Sequence, residues 1–110
     1  EKEDTIAIYG SNEFAAKAII NANGGFKESK LGKDKILAVG FDSGALQQDA
    51  IRKGVFVGSV TQDPVQIGYQ AVKLAIASAK GETVKDVDTG SKWYDASNID
   101  KEEIKALLYE

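Results

Sequence analysis

The stretch Ile36 to Gly44, ILAVGFDSG, begins as an unbroken apolar run and ends at a carboxylate flanked by glycines. Apolar residues without alternation describe a strand buried on both faces, the kind used in parallel sheets that helices cover. Ser43 then stands where a helix cap is expected, with Ala45, Leu46, Ala50 and Ile51 as the apolar face of the following helix and Gly54 as its stop. The same strand-then-helix pattern recurs on either side. Thr5 to Tyr9 reads as a strand, closed by Gly10-Ser11-Asn12, and from Glu13 a helical period places Phe14, Ala15, Ala18, Ile19 and Ala22 on one face before Asn23-Gly24-Gly25. Val55 to Thr61 is a third strand, and Asp63-Pro64 is an N-cap followed by proline at the first helical position. That helix carries Ile67, Ala71, Leu74, Ala75 and Ala79 and stops at Gly81.

The order β-α-β-α-β-α with non-alternating strands predicts an α/β fold, a parallel β-sheet with helices on both faces. Beyond it, Val84 to Thr89 is expected as a fourth strand at the sheet edge, Ser91 to Asn98 as a loop holding Trp93 and Tyr94, and Asp100 to Tyr109 as a terminal helix. Trp93 and Tyr94 read either as a packing lid over the core or as a stacking surface for a ligand.

Composition narrows the function. A chain of 110 residues, 43% apolar and 28% charged, suits one soluble globular domain or part of one. Its net charge of -3 gives no basic field for phosphate backbones or anionic membranes, so nucleic acid is not an expected partner. Without Cys or His there is no thiol nucleophile, imidazole base or soft metal ligand, and no cofactor is implied. No apolar run approaches the roughly 20 residues that span a bilayer. Direct membrane insertion is therefore not expected. The start Glu1-Lys2-Glu3-Asp4, lacking an initiator methionine or a signal-peptide apolar region, reads as a cut end.

Parallel strands joined in this way send their C-terminal ends to one rim, where open α/β sheets bind ligands. At those ends stand Asn12, Asp42 and Gln62, an amide, a carboxylate and a second amide. A carboxylate accepts from neighbouring hydroxyls while the amides both donate and accept, which is the complement of a sugar or polyol. Phe41 adds an apolar face for the C–H side of a sugar ring. Each polar residue taken singly is also a good cap or turn former, and Asp63 is read as a cap alone. Glu102 and Glu103 read as a solvated helix end, and Asp86 and Asp88 as exposed strand residues.

These residues resemble the sugar-binding components of bacterial ABC transporters, of the ribose-, galactose- and xylose-binding type. The segments that carry the likeness are IAIYGSNEFAAKAI (6–19), ILAVGFDSGALQQDAIRKG (36–54), VGSVTQDPVQIGYQAVKLA (57–75) and VDTGSKWYDASNID (87–100). The resemblance implies that Asn12, Asp42 and Gln62 contact the sugar and that Phe41 lines its pocket. Glu13 departs from the aspartate frequent at that position of the family. The resemblance also implies a class I periplasmic-binding-protein fold present in part. Residues 1–62 would belong to the C-terminal lobe, and residues 63–110 to the hinge crossing, a helix of the N-terminal lobe and the C-terminal tail. The implied protein is not an enzyme. It is an extracytoplasmic, periplasmic or lipoprotein solute-binding component whose partners are a monosaccharide, an ABC permease, and either the missing N-terminal fragment or a second copy. The alternative is the effector-binding domain of a lactose-repressor-type regulator, with a helix-turn-helix upstream of Glu1. A doubly wound hydrolase relying on Asp42 would need a base, metal or second carboxylate beside it, and a sensor domain would share the same ligand chemistry.

Overall fold

The computed structural model describes residues 4–109, so the reading of Glu1 to Glu3 as part of a cut end lies outside the described residues. The elements are β1 (Ala7–Tyr9), α1 (Glu13–Ala22), β2 (Leu37–Phe41), α2 (Ala45–Arg52), β3 (Gly58–Gln62), α3 (Pro64–Ala79), β4 (Ser91–Tyr94) and α4 (Glu102–Lys105). The strands form one sheet in the order β1-β2-β3-β4, in which β1, β2 and β3 are parallel and β4 is antiparallel to β3. The α/β class follows as expected from the non-alternating strands.

Alternation along each strand decides what the sheet buries. Ile8, Ala38, Gly40, Ser59 and Tyr94 are register partners across the sheet and share its helix-covered face. Against that face pack Ala16 and Ile20 of α1, Ala50 and Ile51 of α2, Phe56, and Ile99 and Ile104 from the tail. The opposite face carries Tyr9, Leu37 and Trp93, which stay 56%, 39% and 44% exposed among the described residues.

Four local expectations are corrected. The buried line of α1 is Ala16 and Ile20, whereas Phe14 is 83% exposed, because the helix packs on the line beside its polar stripe of Glu13, Lys17 and Asn21 and not on the face opposite it. Ser43 does not cap α2, whose N-cap is Gly44 with no side-chain bond. It is instead buried, donating to the Leu107 carbonyl at 3.3 Å and accepting from Thr61 Oγ1 at 3.1 Å, so it ties the rim to the returning tail. The fourth strand is Ser91–Tyr94 and not 84–89, and the terminal helix shrinks to Glu102–Lys105. The Asp88 carboxylate accepts from the Gly90 amide at 2.7 Å, and Gly90 adopts φ 76°; this turn redirects the chain so that pairing with β3 starts at Ser91.

The third helix stands apart. Asp63 caps it as expected, accepting from the Gln66 amide at 2.9 Å, with Pro64 at its first position. Yet none of its 16 residues is buried, and Val65, Tyr69, Val72 and Ile76 are all more than half exposed. A radius of gyration of 17.0 Å compares with about 13 Å for a compact chain of this length. The excess reflects α3 leaving the body. Outside the polar stripe of Gln66, Gln70 and Lys73, α3 therefore carries an apolar face with nothing packed on it among the described residues.

Candidate functional site

The parallel register carries the C-terminal ends of β1, β2 and β3 to one edge, and the candidate residues follow from there. Gly10 continues the ladder by donating to the Val39 carbonyl at 2.9 Å, after which Asn12, extended at φ -161°, opens α1. Its side-chain oxygen accepts from the Ala15 amide at 2.8 Å. Asn12 is therefore a working N-cap, and its amide nitrogen has no partner among the described residues. Gln62 ends β3 opposite Ser91, exposed, with no side-chain hydrogen bond among the described residues. Phe41 pairs with Val60 and is half-buried; alternation puts it on the sheet face opposite Gly40 and Ser59.

Asp42 is the most constrained residue of the rim. Among the described residues it is the one non-glycine with positive φ, at 74°. Its amide donates to the Val60 carbonyl at 2.8 Å. Its carbonyl accepts from the Tyr94 hydroxyl at 2.8 Å and from the Ser59 hydroxyl at 2.9 Å. Gln47, fully buried on α2, donates to the Phe41 carbonyl at 2.7 Å and to the Asp42 carbonyl at 3.3 Å. One carboxylate oxygen of Asp42 accepts from the Glu13 amide at 3.0 Å, at the positive end of α1. The other oxygen has no hydrogen-bond partner among the described residues.

Asn12 and Asp42 thus meet at the first turn of α1, while Gln62 stands at the end of the adjoining β3. Glu13, ion-paired with Lys17 and accepting from the Tyr109 hydroxyl at 3.3 Å, adds a second carboxylate to Asp42, and Asp63 adds a third beside Gln62. Three acids against two lysines, Lys17 and Lys92, leave no net positive charge for an anionic ligand. The open groups, one carboxylate oxygen and two amides, suit a neutral hydroxylated one. The hollow next to Gln62, lined by Asp63, Thr89, Gly90, Ser91, Lys92 and Leu107, measures about 110 Å³. Ligand pockets usually hold about 300 Å³ or more. The hollow alone is too small to enclose a typical ligand.

Sequence reasoning missed the brace behind Asp42. The available signal was polar residues inside apolar segments, Ser59 and Thr61 in β3 and Gln47 in α2, since buried polar groups require partners.

The Asn12 cap and its ligand role can be separated. Asn12→Ser keeps a side-chain oxygen for the Ala15 amide and removes the amide donor. Its stability should stay within about 0.5 kcal/mol of the parent by urea denaturation, while sugar affinity falls about tenfold by calorimetry. Unchanged affinity would leave Asn12 as a cap alone.

Burial of the Tyr94 hydroxyl pushes its pKa up to about 12, with the neighbouring Ser59 hydroxyl pulling the other way. The folded chain keeps this proton to about pH 12 while the unfolded chain releases it near 10.0, so the associated stability is complete below pH 10 and is lost as pH rises to 12. Across that window the parent should lose about 2 kcal/mol more than Tyr94→Phe, read from urea midpoints at successive pH. Equal losses in both would contradict the buried donor.

The comparisons with known proteins agree with this geometry. Residues 1–83 match the family described as periplasmic binding protein domain, and the chain belongs to that family. Among solved structures it is similar to a protein from Brachyspira murdochii described as an ABC transporter, LacI family transcriptional regulator. The two share 48% identity over 96% of this chain and 35% of that one, with a TM-score of 0.82. A carbohydrate transporter solute-binding protein from Agrobacterium radiobacter, in complex with D-arabinose, shares 31% identity over 94% of this chain and 34% of that one, TM-score 0.77. An ABC transporter solute-binding protein from Agrobacterium vitis with bound D-fucose shares 29% over 94% and 34%, TM-score 0.73. The chain spans about a third of the length of these relatives. No curated protein sequence matches it. Among the described residues no helix is long and apolar enough to cross a membrane, and no group of three or more Asp or Glu is placed to hold a metal ion.

Proposed function

We propose that this chain supplies one wall of the sugar site in an extracytoplasmic solute-binding component of an ABC transporter. It would bind a monosaccharide or related polyol by hinge closure and present the closed form to a permease. The observation that carries the reading is the rim itself: Asn12, Asp42 and Gln62 follow three parallel strand ends and keep an amide donor, a carboxylate oxygen and a free amide open. Phe41 contributes apolar surface nearby. This is binding by hydrogen bonds and lobe motion, with no bond made or broken.

The unburied apolar face of α3 supports the two-lobe part of the proposal. Residues 1–62 form the C-terminal-lobe portion, and residues 63–110 cross the hinge, lend α3 to the other lobe and return as the tail. The partner that covers α3 is then an N-terminal lobe, and a second copy of the chain is the substitute where that lobe is lacking. The relatives bound to D-arabinose and D-fucose support the substrate class.

Calorimetric titration of the two-lobed protein with D-arabinose, D-fucose, other pentoses and hexoses, and inositols tests this. Saturable heat with at least one neutral sugar or polyol is expected. Silence across the panel would overturn the reading. The relative described with both transporter and LacI-family words favours a second reading, an effector-binding domain of a repressor. A helix-turn-helix encoded upstream of Glu1, in place of a signal peptide and lipobox, would select it.

A further inference from the structure

The Asp42 backbone is held on both sides of its Cα, by β3 on each side and by β4 in addition after it. The peptide before Cα is fixed by the Asp42 amide, which donates to Val60 in β3. The peptide after it is fixed by the Asp42 carbonyl, which accepts from Ser59 and from Tyr94, 52 residues away on the edge strand β4. With both peptide planes fixed, φ and ψ are fixed, and so is the direction in which the Asp42 side chain leaves the backbone. The conformation held is left-handed, which a residue bearing a Cβ adopts only when its surroundings over-determine it.

We propose that the Tyr94 hydroxyl is a positioning group for the sugar site, holding Asp42 in its left-handed conformation so that one carboxylate oxygen meets the Glu13 amide and the other faces the ligand. The proposal rests on the sugar-site reading for its functional consequence, though not for its geometry. Tyr94 is fully buried on the helix-covered face of the sheet, so it has no route to the ligand. It acts through the backbone of Asp42. Ser59, its register partner across β3 and β4, supplies a second donor to the same carbonyl, and Gln47 a longer third at 3.3 Å.

The experiment uses the two-lobed protein with Tyr94→Phe, which keeps the ring in the core and removes only the donor, and with Ser59→Ala as the companion. The first readout needs no sugar: hydrogen exchange at the Glu13 amide, whose partner is the Asp42 carboxylate. Tyr94→Phe should speed this exchange about tenfold, the worth of one modest hydrogen bond, while the Ala38 and Val39 amides in the central strand exchange as before. Ser59→Ala should act in the same direction, and the double variant should exceed either. The second readout is affinity for D-arabinose and D-fucose, expected to fall about tenfold in Tyr94→Phe and not at all when Tyr94→Phe is added to Asp42→Ala.

Unchanged Glu13 exchange in both single variants overturns the positioning role whatever the sugars do. If Glu13 exchange rises but neither Tyr94→Phe nor Asp42→Ala alters sugar affinity, the brace stands and the site reading falls. If Asp42→Ala abolishes binding while Tyr94→Phe leaves it intact, the site stands and the positioning role falls.

Discussion

Asp42→Ala is expected to lower sugar affinity about a hundredfold in the two-lobed protein, the cost of removing a charge-assisted acceptor from an enclosed polar site. The same substitution should also destabilise the fold by about 1–2 kcal/mol, for two reasons. It strips the Glu13 amide of its carboxylate partner, and it puts alanine at φ 74°, where aspartate is the better tolerated of the two. Asp42→Asn separates these effects. Asparagine tolerates the left-handed region and still offers a carbonyl oxygen to Glu13, but it brings no charge to the ligand. Affinity should therefore rank Asp above Asn above Ala, whereas stability should place Asp and Asn together with Ala below. Calorimetry and urea denaturation on the three proteins check both orders. If a sugar binds the parent and Asp42→Ala binds it equally well, the rim is not where the ligand sits.

The parallel sheet and the shared edge of its strand ends were legible because both follow from local patterns. Apolar runs without alternation at 36–40 and 55–60 mark buried parallel strands, and once crossovers are inferred the residues after each strand must share an edge. Asp63 was legible for the same reason, since a cap and its proline are neighbours in sequence. Brace and tail were not. A hydrogen bond from Tyr94 to Asp42 joins residues 52 apart and leaves no period in the sequence. β4 was displaced from 84–89 to 91–94 by a single Asx turn at Asp88 and Gly90, which outweighs the weak apolar signal of Val84 and Val87. Ser43 looked like a cap because caps and buried hydroxyls use the same residue type; only the returning tail at Leu107 decides between them. The face of α1 escaped periodicity because the buried pair, Ala16 and Ile20, lies beside the polar stripe of Glu13, Lys17 and Asn21 and not opposite it.

What presses α1 onto that face is the close approach at Gly10, and Gly10→Ala should destabilise the chain by about 3 kcal/mol. A Cβ at position 10 would lie 2.7 Å from the Ala16 nitrogen, 2.8 Å from the Ala16 Cα and 3.2 Å from the Ala15 carbonyl carbon. All three are backbone atoms of α1, so no rotamer change relieves the clash and the helix must move outward. Gly10 does not have a left-handed φ; its role is space, which lets Ala16 lie against the end of β1 and brings the Glu13 amide to Asp42. Gly24 is the control. It has φ 73° and open space, with nothing within 4 Å of where a methyl group would sit, so Gly24→Ala meets only conformational strain, about 1 kcal/mol. Urea midpoints should separate the two by that margin, and Gly10→Ala should also speed Glu13 amide exchange while Gly24→Ala does not. Should Gly10→Ala cost no more than Gly24→Ala, α1 does not press on the strand end, and the route by which α1 positions Asn12 and Glu13 at the rim fails with it.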